Sequence, residues 1–209
     1  MLNPVLHDLM PPRRPTIGDA GLSSLLTALM DRIECGMLAC NADGELLHAN
    51  LAARRELATA QLLHLDDEGI VRCQRGSNEA WIASLHNATL RHLSSMVQLR
   101  EGAAHALVAV SPAAVGTQHV AIAVIGRRNL CSPLGLEMLA SSYGLTFAES
   151  RVLRALIDSQ TVREIADTHG VAVTTIRTQV LAIREKLGVR SIDALLLRAA
   201  EVPPITARH

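Results

Sequence analysis

The chain has 209 residues, 49% of them hydrophobic, and its 20 basic and 20 acidic side chains give a formal net charge of zero. That length holds one large domain or two small ones, and high hydrophobicity without net charge excludes disorder along the whole chain. No apolar run approaches the roughly 18 residues of a membrane span, and residues 1–15 lack the basic and apolar regions of a secretory signal, so a cytoplasmic protein with no membrane partner is expected.

Residues 1–20 hold Pro4, Pro11, Pro12 and Pro15 without apolar periodicity and read as a flexible tail. Over 22–33, Leu22, Leu25, Leu26, Leu29, Met30 and Ile33 recur at the period of an amphipathic helix. That stripe is too wide for a solvated helix and should pack on a sheet or on a second copy. Strands are expected at 36–40 and 45–49 around the Asn41-Ala-Asp-Gly44 turn, and Asn50 should cap a helix through Leu57. Asp66-Asp-Glu-Gly69 makes a loop before the short run 70–73. A helix capped by Asn78 should reach Leu93, with Trp81, Ile82, Leu85, Ala88, Leu90 and Leu93 mostly to one side. Strands at 95–100, 104–110 and 119–126 complete a sheet expected to close on itself by meander connections. A connecting helix is expected over 134–142.

From Leu145 onward the pattern is wholly helical. Thr146-Phe-Ala-Glu149 and Thr161-Val-Arg-Glu164 are capping boxes, each opening a helix. Gly170 suits the left-handed residue of a tight turn, and Thr174 should cap a third helix through Leu187. Its apolar stripe is Ile176, Val180, Ile183 and Leu187; Gly188 stops it, and Ser191 caps a fourth helix that should pair between copies.

Two short helices about a glycine turn make a helix-turn-helix, whose second helix enters the major groove of DNA. There Thr174, Thr175, Arg177, Thr178 and Gln179 offer short or fork-shaped groups suited to phosphates and base edges. Arg184 and Lys186, further along, would meet the backbone as cations. Lys186 is the only lysine beside nineteen arginines, and a helix-terminal role is the alternative for it. Thr161, Arg163 and Leu181 complete the candidate DNA-binding set.

Leu145-Thr146-x-x-Glu149, Glu164-Ile165-Ala166, Gly170-Val171, the run from Thr174 to Gln179 and Lys186-Leu187-Gly188 resemble the LuxR/GerE-type helix-turn-helix over 144–198. The resemblance implies a four-helix DNA-binding domain, usually dimeric through its last helix. It also implies that Arg177 stands where the family has a base-reading lysine, Gln179 where it has histidine, and Leu181 at a polar DNA-facing position. Residues 33–57, a strand, an Asp-Gly turn, a strand and an Asn-capped helix, resemble the opening of a PAS domain.

The fold class expected is α+β: a PAS-like sensor or dimerisation domain at 21–130, a connector at 131–143, an all-α four-helix domain at 144–202 and a tail at 203–209. The function expected is sequence-specific transcription regulation, with double-stranded DNA and a second copy as partners and RNA polymerase as a further candidate. Two rivals stay open: a constitutive DNA-binding dimer with a structural N-terminal domain, and an enzyme with a regulatory helix-turn-helix. Against the enzyme, the sequence has no Gly-rich phosphate loop, nucleophile elbow or metal-spaced cluster. DNA binding should need no cofactor. A cofactor of the N-terminal domain is not specified: His86 and His92 are the positions open to a haem, but a lone helix histidine is far more often a surface or core residue. Cys35, Cys40, Cys73 and Cys131 read as inert thiols.

Overall fold

The computed structural model describes residues 18–73, 76–127 and 129–205, so most of the expected N-terminal tail and residues 206–209 lie outside it. Helix α1 (Asp19–Met30) starts three residues earlier than the periodicity implied and ends with Asp31 as its C-cap. Strands β1 (Gly36–Cys40) and β2 (Leu46–Ala49) form a hairpin, followed by α2 (Leu51–Thr59). A small ribbon pairs β3 (Leu63–Leu65) with β4 (Val71–Cys73). The strand β3 has no sequence signal of its own; the Asp66 carboxylate makes it by accepting the Glu68 and Ile70 N–H groups and turning the chain back.

Helix α3 (Asn78–Arg91) precedes a meander of β5 (Ser95–Glu101), β6 (Ala104–Val115) and β7 (Gln118–Ile125). Ser77, not Asn78, is the cap of α3; Asn78 Oδ1 instead accepts the Cys73 N–H at 3.1 Å and ties the helix to β4. The helix also stops before Leu93, because His92 turns left-handed, and Leu90 and Leu93 face solvent rather than the core. The five strands pair antiparallel in the order β2-β1-β7-β6-β5, a PAS-like sheet. It stays open, with β2 and β5 as edges, because its two hairpin units join only through β1 and β7.

One face of this sheet is covered by α2, α3 and the ribbon, around Leu38, Leu63, Val71, Trp81, Leu85, Leu99 and Val108. With three aromatic residues in the whole chain, aliphatic side chains do most of this packing. Trp81 is fully buried, and its indole N–H donates to the Val71 carbonyl at 2.9 Å. The fully buried Asn50 organises the hairpin end. Its Oδ1 accepts the Ala53 and Met37 N–H groups, and its Nδ2 donates to the Met30 and Cys35 carbonyls. A cap residue thus satisfies backbone groups of α1, β1 and α2 together.

The stripe of α1 does not find cover among the described residues. Leu22, Leu25, Leu26 and Leu29 are 41–55% exposed.

Helix α4 (Pro133–Ser142), capped by Ser132, leads into α5 (Phe147–Ile157), α6 (Val162–His169), α7 (Val173–Leu187) and α8 (Ile192–Ala200). The expected connector is more than a connector: Leu136 and Leu139 enter one core with Val152, Leu153, Ile165, Ile176, Ile183 and Leu195. The residues after α8 also pack: Val202 joins that core and Ile205 bridges antiparallel to Ile33.

Candidate nucleic-acid interface

Both capping boxes form as expected. Thr146 Oγ1 accepts the Glu149 N–H at 3.3 Å, while Glu149 Oε2 accepts the Thr146 N–H at 2.6 Å. Thr161 and Glu164 repeat the exchange at 3.3 and 2.7 Å. These caps fix where α5 and α6 begin, and Gly170, at φ +64°, turns the chain from α6 into α7.

Helix α7 starts earlier than Thr174. Its cap is Ala172, which offers no side-chain acceptor, because Val173 packs on the core and draws the first turn inward. Thr174 therefore lies within the helix, and its hydroxyl is not used as a cap. The first N–H groups of α7 carry the positive end of the helix dipole toward solvent. Ile176, Val180, Ile183 and Leu187 are 0–5% exposed and seat the helix on the core. The opposite face presents Thr174, Thr175, Arg177, Thr178 and Leu181 to solvent, and it has no acidic residue between Val173 and Leu181. Thr178 Oγ1 donates to the Thr174 carbonyl at 3.0 Å, leaving its lone pairs available. Gln179 is half-buried, with Oε1 unpartnered among the described residues.

The other expected contact residues divide. Arg163, on α6, is exposed, and among the described residues neither it nor Arg177 has an ion-pair partner. Thr161 commits its hydroxyl to the capping box, where it also donates to Glu164 Oε2 at 2.7 Å. Arg184 donates to the Arg190 carbonyl, which ties the end of α7 to the turn before α8. Lys186 is held too: its ammonium lies 2.6 Å from Glu149 Oε2 and donates to the Gly144 carbonyl at 3.0 Å.

That pairing joins residues 37 apart, and the sequence carries no signal for it beyond a lone lysine and a cap glutamate. Burial pushes the Glu149 carboxyl up, but the hydrogen bonds from Lys186 and Thr146 outweigh it and hold the group below the usual carboxylate range. Backbone and side-chain hydrogen bonds from Thr161 lower Glu164 in the same sense.

Among the described residues no group of three or more His, Cys, Asp or Glu could hold a metal ion. His86 and His92 both face solvent, and the His92 ring stands edge-on to that of His119 at 4.3 Å. No helix among the described residues is long and apolar enough to cross a membrane.

No curated protein matches the chain. Among solved structures it is similar to the phage VqmA–DPO complex, at 18% identity over 89% of this chain and 91% of that one, with a TM-score of 0.39. It is also similar to the Vibrio cholera VqmA–ligand–DNA complex, at 17% identity over 90% and 97%, TM-score 0.36. A third is the PAS domain of an HTR-like protein from Haloarcula marismortui, at 14% identity over 51% and 92%, TM-score 0.35. These likenesses are loose, and the assignment stands on the C-terminal helices. Residues 144–199 match the bacterial regulatory proteins of the luxR family, and this part of the chain is a LuxR-type helix-turn-helix domain.

Proposed function

We propose that the protein is a sequence-specific DNA-binding transcription regulator whose contact surface is the exposed face of α7. The single observation that carries this reading is the division of that helix. One side is buried to 0–5% exposure, and the other, from Thr174 to Leu181, is polar, free of acids and unoccupied by any cap. The N-terminal half of α7 enters the major groove. Arg177 reads guanine through its O6 and N7 acceptors, Gln179 and the threonines meet base edges and phosphates, and Leu181 meets a thymine methyl. Arg163 adds a phosphate contact from α6. Thr161 and Arg184 act at the margin, through the N-terminus of α6 and the turn after α7. Lys186 contributes mainly by holding α7 on α5.

The division into a PAS-like unit at 21–130, a linking helix at 131–143 and a DNA-binding unit at 144–202 belongs to the same proposal. The N-terminal unit pairs two copies, so that two α7 helices meet successive half-sites about one DNA turn apart. Two features support pairing: the exposed leucines of α1, and the side of the sheet left uncovered among the described residues, where Met96, Ala109, Val124 and Met37 align across four strands. A purely structural N-terminal unit is the second reading, favoured by an interior filled with Leu38, Leu63, Trp81 and Leu85. A sensing unit would shift the pairing when its ligand binds.

Fluorescence anisotropy with a labelled duplex tests the reading. The wild-type chain should bind with a strong salt dependence, and Arg177→Ala should lose about 1–3 kcal/mol on the preferred sequence. A wild-type chain that binds no duplex at low salt ends the proposal.

A further inference from the structure

The chain crosses back on itself after α8. Ile205 forms an antiparallel bridge with Ile33, and the Glu34 N–H donates to the Pro204 carbonyl at 2.7 Å. Ser132 Oγ donates to the Ile205 carbonyl at 3.1 Å, and the Val202 side chain fills the space beside Gly135, where a Cβ would come within 2.9 Å of it. Arg127 binds the same segment from the other side. Its guanidinium donates to the carbonyls of Leu130 at 2.8 Å, Ala200 at 3.4 Å and Val202 at 3.5 Å, and its Nη1 lies 3.9 Å from Glu34 Oε2.

Each of these contacts has a physical reason. The last carbonyls of a helix have no intrahelical partner and sit at the negative end of its dipole, so a cation beside the end of α8 is favoured. Arginine is suited to that task, because its planar fork serves several acceptors at once. Glu34 and Arg127 lie two residues outside Gly36 and Ile125, which are paired in register where β1 and β7 end. A change in the spacing of those strands must therefore move both residues. Gly36 leaves little slack, since a Cβ there would come within 3.0 Å of the Ile125 side chain and 3.3 Å of the Ala53 backbone.

We propose that residues 202–205 form an intramolecular strap that fixes the helical unit to the end of the N-terminal sheet, with Arg127 as its positioning residue. The strap turns a change at the β1–β7 end into a change in how α8, and α7 packed against it, are held. Burial raises the Glu34 carboxyl while Arg127 opposes the rise, so the glutamate sits where loss of the arginine would be felt at once. Released, the strap leaves residues 126–132 as the covalent link between the two units. Held, it makes them one body.

Hydrogen exchange of the full-length chain, read by mass spectrometry or NMR, tests this without any ligand or DNA. In the wild type, the Glu34 amide and the amides at the end of α8 should be slow and share one opening rate. Arg127→Ala should raise exchange at both sites by at least about tenfold, the effect of losing one charge-assisted hydrogen bond. The Leu38 and Val124 amides in the sheet should hold their wild-type rates and report that the domain is folded. A chain ending at Glu201, which keeps Arg127 with its Leu130, Ala200 and Glu34 contacts and leaves the sheet untouched, should raise exchange at Glu34 by a similar factor. Fast exchange at Glu34 in the wild type, or no change at Glu34 in either variant, overturns the strap.

Discussion

The Lys186 ammonium and the Glu149 carboxylate, 2.6 Å apart, fasten the C-terminal end of α7 to the first turn of α5. The same carboxylate closes the capping box with Thr146, so one buried group sets the start of one helix and the lean of another. Removing the lysine leaves that carboxylate half-satisfied. Lys186→Met should cost about 1–3 kcal/mol in chemical denaturation. Because Lys186 is held at Glu149, Lys186→Ala should leave the slope of log K against log salt nearly unchanged. A fall of about one unit would instead place this lysine on a DNA phosphate.

Acid should loosen the same fastening. Glu149 titrates lower in the folded chain than the roughly 4.3 of an unfolded glutamate. Its contribution to stability is therefore complete above that unfolded value and disappears as pH falls through the lower folded one. Denaturation midpoints between pH 6 and pH 3 should fall less steeply in Glu149→Gln than in the wild type. Parallel curves would show that the pair does not govern acid stability.

Thiol reactivity follows from burial. Burial pushes the thiols of Cys40 and Cys73 up to about 12, so at pH 8 only roughly one molecule in ten thousand carries either thiolate. Cys35 is the more exposed thiol and should be modified first by an aromatic disulfide reagent. Cys40 and Cys73 should react only on unfolding. Rapid native labelling of Cys73 would mean that the ribbon of β3 and β4 opens.

The proposed pairing of copies runs through α1. Leu22, Leu26 and Leu29 lie on one face and are 47–55% exposed in the single chain. Light scattering at micromolar concentration should give a dimer, and Leu26→Glu with Leu29→Glu should shift it to monomer without changing the circular dichroism. A wild-type monomer would remove α1 from the interface.

Much of this architecture is legible in the sequence, for identifiable reasons. The capping boxes at Thr146 and Thr161, the Asn50 and Ser191 caps and the left-handed Gly170 and Gly188 are local devices, and local devices show in local sequence. The start of α7 did not follow its apparent cap, because packing of Val173 prevails over a threonine hydroxyl. Leu90 and Leu93 look like core residues by composition, but Leu90 falls on the helix face opposite Trp81 and Leu85, and the left-handed His92 ends α3 before Leu93. The short strand β3 depends on its partner β4, and the Lys186–Glu149 pair and the Arg127 contacts join residues far apart in sequence. Such long-range pairs leave no periodic trace.

The proposed specificity rests on Arg177, exposed and without an ion-pair partner among the described residues. Selection from a randomised duplex pool tests that most directly, with the wild-type chain and Arg177→Ala compared at one salt concentration. The wild type should select a two-fold symmetric motif with a guanine in each half-site, and the variant should lose preference at that one position. An identical motif from both proteins, or no enrichment by a folded wild-type chain, would contradict it.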